Sequence, residues 1–179
     1  FKLFVHLMTY GDDNVLGVSA LIPWFNHTSI QATLKDIGVV YTMADKEAES
    51  IPYINMKDIS FLKRFWRWDP DVEAYLCPIE EDTIAKMLTT WIPSTEVCPE
   101  EQMTSVIESA MMEYFFYGRE IFEKRQAQLK RIYYEHIDPC FEKKSTFMPW
   151  EAYYTRFWEA SGQSGRTYGI PAECKTASL

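Results

Sequence analysis

Two adjacent carboxylates, Asp12 and Asp13, are the residues of this chain best suited to metal-dependent chemistry. They stand in the tetrapeptide Tyr-Gly-Asp-Asp at residues 10–13, with an apolar run before it and another after it. Two β-rich runs on either side of a Gly-Asp pair predict a hairpin whose tip presents both carboxylates. Mg²⁺ takes oxygen ligands and commonly uses one or two carboxylates together with substrate phosphates. An ordinary solvated turn can have the same four residues, so the tetrapeptide alone leaves both interpretations open.

The segments after this hairpin predict further mixed structure. Thr28 and Gln31 have the spacing of a capping box, which predicts the start of a helix that ends at Gly38. Residues 39–41 then predict a short buried strand, and residues 59–68 form a second β-like stretch with many aromatic side chains. The first part of the chain is therefore predicted to be α+β.

From Pro78 onward the apolar spacing becomes helical. Helices are predicted to begin near Pro99, after Gly118 and after Pro149. After Ser161 the chain turns polar. Three segments are therefore predicted: an α+β domain over residues 1–77 with its boundary near Cys77, an all-helical domain over residues 78–160, and a flexible tail over residues 161–179.

Composition limits the classes of protein to be considered. The 179 residues carry 18 basic and 26 acidic side chains, a net charge of −8, and 47% of them are hydrophobic. Taken alone, this balance argues against a nucleic-acid binder, because such proteins need clustered Lys and Arg. No apolar run reaches the roughly 18 residues of a membrane span, and no signal peptide is recognisable. The four cysteines lack the spacing of a zinc site or a disulfide framework, which indicates a reducing, intracellular setting.

Several motifs, in their order along the chain, resemble the RNA-dependent RNA polymerases of positive-strand RNA viruses. Residues 10–13 resemble the signature hairpin of that family, and residues 38–46 resemble the glycine-to-lysine loop of its picornavirus-like members. Residues 61–65, Phe-Leu-Lys-Arg-Phe, resemble their primer grip, and residues 149–158 resemble the closing thumb helix of picornavirus polymerases. Asn14 departs from the picornaviruses proper and is more similar to insect dicistroviruses or iflaviruses.

The resemblance implies a right-hand polymerase fold, with a partial palm followed by a helical thumb. It also implies RNA-directed RNA polymerase activity by two-metal nucleotidyl transfer. Asp12 and Asp13 would bind the catalytic Mg²⁺, which Mn²⁺ could replace. Lys46 would protonate the leaving pyrophosphate, and Lys63 and Arg64 would hold the primer strand.

The resemblance further implies the partners and the setting of the protein. The expected partners are RNA template and primer, nucleoside triphosphates and other viral replication proteins, and the expected location is the host cytoplasm at membrane-associated replication complexes. A further metal-binding aspartate, a ribose-reading segment and a basic fingers motif would precede Phe1. The chain is therefore expected to be a C-terminal piece of a polyprotein product, inactive by itself, and the loss of those basic parts would account for its acidic charge.

Two other interpretations stay open. A reverse transcriptase also presents two aspartates on a palm hairpin, although the glycine before them and the Phe-Leu-Lys-Arg element argue against it. A non-catalytic helical interaction domain would leave Lys46 as a solvated loop charge, and Lys63 and Arg64 as a surface pair. The helical half offers the same choice between an RNA-lining face and a solvated face for its four clustered basic residues, Lys124, Arg125, Lys130 and Arg131.

Overall fold

The computed structural model describes residues 1–163 and divides the chain into two compact units. The first unit ends at Trp66 and the second begins at Arg67. This division lies earlier in the chain than the boundary near Cys77 that the sequence predicts. The short hairpin that begins at Arg67 buries Val72 completely in the helical core, so this hairpin belongs with the helices.

Each unit is built from short elements that are adjacent in the sequence. The first unit contains β1 (Val5–Tyr10), β2 (Asp13–Val18), α1 (His27–Asp36), a 3₁₀ turn (Met56–Asp58), β3 (Ser60–Phe61) and β4 (Arg64–Phe65). The second contains β5 (Arg67–Asp69), β6 (Ala74–Leu76), α2 (Glu81–Thr89), α3 (Pro99–Phe115), α4 (Arg119–His136), a 3₁₀ turn (Pro139–Phe141) and α5 (Trp150–Ala160). The strands pair as three antiparallel hairpins, β1–β2, β3–β4 and β5–β6. The predicted α+β class is therefore confirmed.

Three helices of the second unit, α3, α4 and α5, begin where the sequence predicts. Pro99 is the first residue of α3, Gly118 immediately precedes α4, and Pro149 immediately precedes α5. None of the helices within the described part of the chain has both the length and the apolar character needed to cross a bilayer. Most of the predicted flexible tail at residues 161–179 lies outside the described residues, and only residues 161–163 fall inside them.

Helix α1 begins earlier than the sequence predicts. Asn26 caps it, because its Oδ1 accepts a hydrogen bond from the Ser29 backbone N–H and its own N–H donates to Ser29 Oγ, both at 3.0 Å. The predicted capping box at Thr28 and Gln31 is therefore wrong, since Thr28 already lies in the first helical turn. Gln31 instead donates from Nε2 to the backbone carbonyl of Tyr41 at 2.7 Å.

Residues 39–41 do not form the predicted buried strand. Gly38 adopts φ +78° after the helix, and the Val39 N–H donates to the Leu34 carbonyl at 3.0 Å. Val40 is 87% exposed. Among residues 1–163 no strand pairs with this segment, so its backbone lacks the ladder of hydrogen bonds that defines a strand.

An aromatic-rich core holds the second unit together. Phe122, Tyr133 and Trp150 are at most 1% exposed. The rings of Phe122 and Tyr153 meet edge to face with their centroids 5.2 Å apart, a favoured aromatic geometry. The Tyr133 hydroxyl lies 3.1 Å from Thr104 Oγ1, so its polar end is hydrogen-bonded inside the core. Burial of side chains of this size contributes about 1.5–3 kcal/mol each.

A buried carboxylate organises the hairpin β5–β6. Asp69 is 2% exposed and accepts hydrogen bonds from Arg67 Nη1 at 2.7 Å and from the backbone N–H groups of Asp71 and Val72 at 3.0 Å each. Gly118 lies against this pair with φ +95°. A Cβ atom there would be 3.1 Å from Asp69 Oδ2, so glycine is needed for both its conformation and its small size.

Asp69→Ala is expected to lower the free energy of unfolding of the second unit by about 3 kcal/mol, because it removes the carboxylate partner of the Arg67 guanidinium and the acceptor of the buried Val72 N–H and the half-buried Asp71 N–H. Urea denaturation of the 179-residue chain measures this loss. Asp71→Ala is the matched control, since Asp71 is exposed and keeps its backbone N–H, and its effect should stay within about 0.5 kcal/mol. Equal losses in the two variants would contradict the stabilising role of Asp69.

Candidate active site

The hairpin β1–β2 presents the acidic turn at its tip. The last strand pair is Tyr10 with Asp13, which leaves Gly11 and Asp12 as a two-residue turn. Gly11 adopts φ +62°, the left-handed conformation that the first central residue of a type II′ turn requires. Asp12 therefore lies at the tip and Asp13 is the first residue of β2, and both are exposed. The predicted hairpin is confirmed.

The two carboxylates fit part of a site for a hard divalent cation. Mg²⁺ prefers oxygen ligands in octahedral geometry and usually binds one or two carboxylates, with water and phosphate oxygens completing its shell. Asp12 and Asp13 supply carboxylate oxygens on an exposed turn. Nowhere in residues 1–163 do three or more His, Cys, Asp or Glu side chains come together in a way that could hold a metal ion. These two residues would therefore hold Mg²⁺ or Mn²⁺ together with ligands from other molecules or from residues outside the described part of the chain.

A polar contact joins the start of β2 to the segment after α1. The Tyr41 hydroxyl donates to Asn14 Oδ1 at 2.6 Å. The Tyr41 ring also stacks on the imidazole of His27, with centroids 4.8 Å apart and planes inclined by 26°. Sequence reasoning missed this contact, because it assigned Tyr41 to a buried strand. No local pattern could have revealed the contact, since the two residues are 27 positions apart in the sequence.

Lys46 lies in an exposed loop of the first unit. The loop is shaped by Asp45, whose Oδ1 accepts from the Glu47 N–H and whose backbone carbonyl accepts from the Ala48 N–H, both at 3.1 Å. The Lys46 ammonium forms no ion pair with any side chain in the described part of the chain. It is therefore accessible to an anionic ligand, and its role as a proton donor stays a prediction.

Lys63 and Arg64 lie on the hairpin β3–β4, in which Phe61 pairs with Arg64. Leu62 and Lys63 form its two-residue turn with φ +53° and +61°, values that a type I′ turn requires and that non-glycine residues adopt at a cost of about 1–3 kcal/mol each. Lys63 is exposed at the tip and Arg64 is half-buried. Strand β3 contacts β2, so this hairpin lies beside the acidic hairpin. The contact of these two residues with a primer stays a prediction.

Some of the clustered basic residues of α4 are engaged within the second unit. Arg125 forms an ion pair with Glu81, and its guanidinium lies 5.6 Å from the ring centre of Tyr114. Burial raises the pKa of the Tyr114 hydroxyl, and the positive charge of Arg125 opposes that rise. The Lys130 ammonium lies 5.5 Å from the ring centre of Phe147. For these two basic residues the contacts favour packing over an RNA-lining role.

The comparison with known proteins agrees with the motifs. The sequence matches the family described as viral RNA-dependent RNA polymerase over residues 1–136. It is 34% identical over 125 residues to the replicase polyprotein of Drosophila C virus (strain EB), covering 69% of this chain and 7% of that polyprotein. It is 27% identical over 169 residues to the replicase polyprotein of Cricket paralysis virus, covering 94% of this chain and 9% of the relative.

A plant-virus protein is also similar. The genome polyprotein of Rice tungro spherical virus (strain Vt6) is 32% identical over 151 residues, covering 80% of this chain and 4% of that polyprotein. The chain thus spans less than a tenth of the length of each of these three relatives. The family match includes the acidic hairpin, the lysine loop and the β3–β4 hairpin, and the first two relatives come from dicistroviruses. The predicted resemblance is confirmed: the chain belongs to the viral RNA-dependent RNA polymerase family.

Proposed function

We propose that the chain is the C-terminal part of an RNA-directed RNA polymerase that replicates a viral RNA genome. The first unit would be part of the palm and the second unit the thumb. The observation that carries the proposal is the exposed turn of Asp12 and Asp13 at the tip of a hairpin, in a chain of this family. The polymerase would be released from a polyprotein and would act in the host cytoplasm, at membrane-associated replication complexes.

Each candidate residue has a separate task in this proposal. Asp12 and Asp13 bind Mg²⁺, or Mn²⁺ in its place, through their carboxylate oxygens. Held by these two carboxylates, the metal would supply Lewis-acid activation of the primer 3′-hydroxyl and positive charge beside the leaving pyrophosphate. Lys46 donates a proton to that pyrophosphate from its exposed ammonium group. Lys63 and Arg64 bind the phosphodiester backbone of the primer, because fixed cations position a nucleic-acid strand without reading its sequence.

The proposed partners follow from the same chemistry. RNA template and primer, nucleoside triphosphates and other viral replication proteins would all contact the complete polymerase. Two adjacent carboxylates supply only part of a metal's ligand shell, so the remaining ligands would come from residues outside the described part of the chain, from nucleotide phosphates and from water. This requirement is in keeping with the small share of each relative's length that the chain covers.

Primer elongation by the full polymerase that contains this chain tests the proposal. We expect Mg²⁺-dependent incorporation of ribonucleotides on a primed RNA template, and no incorporation by the isolated 179-residue chain, which should also bind Mg²⁺ weakly. Deoxynucleotides in place of ribonucleotides distinguish a reverse transcriptase. A full polymerase that binds RNA without extending the primer would contradict the proposal, and synthesis by the isolated chain would contradict the incomplete site.

A further inference from the structure

Asn14 directly follows the acidic turn, and its side chain makes contacts in two directions. Its Nδ2 donates to the backbone carbonyl of Asp12 at 3.4 Å, and its Oδ1 accepts from the Tyr41 hydroxyl at 2.6 Å. Asn14 and Tyr41 are both half-buried, so the shorter bond is partly shielded from water. A single side chain therefore links the backbone of the acidic turn to Tyr41.

Tyr41 is itself held by helix α1 in two ways. Its ring stacks on His27 at 4.8 Å, and its backbone carbonyl accepts from Gln31 Nε2 at 2.7 Å. His27 and Gln31 are four residues apart in α1 and therefore lie on the same face of the helix. His27 Nδ1 also lies 2.7 Å from Ser50 Oγ, which joins the helix to the segment that follows the lysine loop. The Tyr41 hydroxyl is thus aimed at Asn14 by fixed neighbours.

The first unit buries few apolar side chains that could fix the direction of the acidic hairpin. Val5, at 4% exposed, is the one buried hydrophobic side chain among its described residues. A two-stranded hairpin by itself is at best marginally stable in water. Productive metal sites, in contrast, require their ligands to be held within about 0.5 Å. A specific hydrogen bond beside the turn therefore has a strong influence on where Asp12 and Asp13 lie.

We propose that Tyr41 is a positioning residue whose hydroxyl, through Asn14, holds the acidic turn in the geometry that binds metal. The catalytic consequence of this role of Tyr41 rests on the proposed polymerase function. The structural consequence, an acidic turn that is ordered in the absence of metal, is independent of that function. The two consequences can therefore be tested separately.

The structural consequence is tested by hydrogen exchange on the full polymerase without metal or nucleotide. Tyr41→Phe removes the hydroxyl but keeps the ring that stacks on His27 and the carbonyl that binds Gln31. We expect amide exchange within residues 11–16 to become about 3- to 10-fold faster, the effect of losing one hydrogen bond. Tyr53→Phe is the matched control, because the Tyr53 hydroxyl donates to the Pro23 carbonyl at 2.8 Å and, among the described residues, makes no hydrogen bond with residues 11–16. Its replacement should leave amide exchange within residues 11–16 unchanged.

The catalytic consequence is tested by the metal requirement. In Tyr41→Phe the Mg²⁺ concentration for half-maximal elongation should rise about 3- to 10-fold, and kcat at saturating Mg²⁺ should fall less. The expected rise in Mg²⁺ requirement is smaller than the roughly 10- to 100-fold effect of removing a group that bonds directly to a metal ligand's side chain. The reason is that Asn14 contacts the backbone carbonyl of Asp12 and not its carboxylate. Direct binding of Mn²⁺, followed by its magnetic resonance signal, should weaken by the same factor.

A double-mutant cycle identifies the route of the effect. Asn14→Ala should reproduce the changes of Tyr41→Phe in exchange and in metal requirement, and the double variant should be no worse than Asn14→Ala alone. Fully additive effects, or a Tyr41→Phe protein with wild-type exchange and wild-type metal requirement, would overturn the proposal. If the wild-type polymerase fails to elongate RNA, the polymerase function fails, while the exchange measurement still decides whether Tyr41 orders the turn.

Discussion

Asp12→Asn in the full polymerase is expected to reduce nucleotide addition by at least about a thousandfold while the protein remains folded. The substitution removes a negatively charged oxygen at the tip of the acidic turn, and the loss of charge stabilisation in metal-assisted catalysis amounts to several kcal/mol, at about 1.4 kcal/mol per tenfold in rate. Because Asp12 is exposed, its replacement should change the free energy of unfolding by no more than about 0.5 kcal/mol. Single-nucleotide incorporation under saturating Mg²⁺ measures the rate, and urea denaturation measures the stability.

Asp36→Asn provides the control for Asp12→Asn. Asp36 is an exposed carboxylate in the same unit, at the end of α1, and it is not part of the proposed site. Its replacement removes the same charge from the protein without changing the acidic turn, so elongation should stay near the wild-type rate. An Asp12→Asn polymerase that extends the primer as fast as the Asp36→Asn variant would show that Asp12 does not bind the catalytic metal.

Lys46→Leu is expected to slow the chemical step by about 10²- to 10⁴-fold, the usual contribution of general acid catalysis, and to leave RNA binding unchanged. Leucine can replace Lys46 without disturbing the packing of the first unit, because the lysine side chain is exposed in a loop. Single-turnover incorporation across a range of pH measures the step directly. Lys46→His should retain part of the rate and shift the pH dependence downward, because imidazole titrates near neutrality.

Lys57→Leu is the matched control for Lys46. Lys57 is also an exposed lysine of the first unit, in the 3₁₀ turn Met56–Asp58, so its loss removes an equal charge at another position. We expect the Lys57→Leu polymerase to incorporate nucleotides at close to the wild-type rate. If Lys46→Leu has the same rate and pH profile as this control, Lys46 is a solvated loop charge and has no part in proton transfer.

The features that depend on near neighbours could be predicted from the sequence. The hairpin at residues 10–13 follows from two β-rich runs and a glycine that accepts a left-handed turn. The starts of α3 and α5 follow from Pro99 and Pro149, because proline fits at the beginning of a helix and not in its interior. Motifs a few residues long likewise make Asp12 and Lys46 candidate site residues, Lys46 through the resemblance of residues 38–46 to a family loop.

The features that depend on distant residues were decided only by the tertiary structure. Residues 39–41 have the composition of a strand, but a strand needs a partner, and the Tyr41 side chain instead reaches Asn14 on β2. The boundary between the two units lies before Arg67, because the hairpin β5–β6 packs into the helical core of the second unit. Glycine is required at position 118 because the buried Asp69 of this hairpin leaves no room for a Cβ atom there. Such contacts join positions far apart in the chain, and their energies depend on burial and geometry that exist only once the chain has folded.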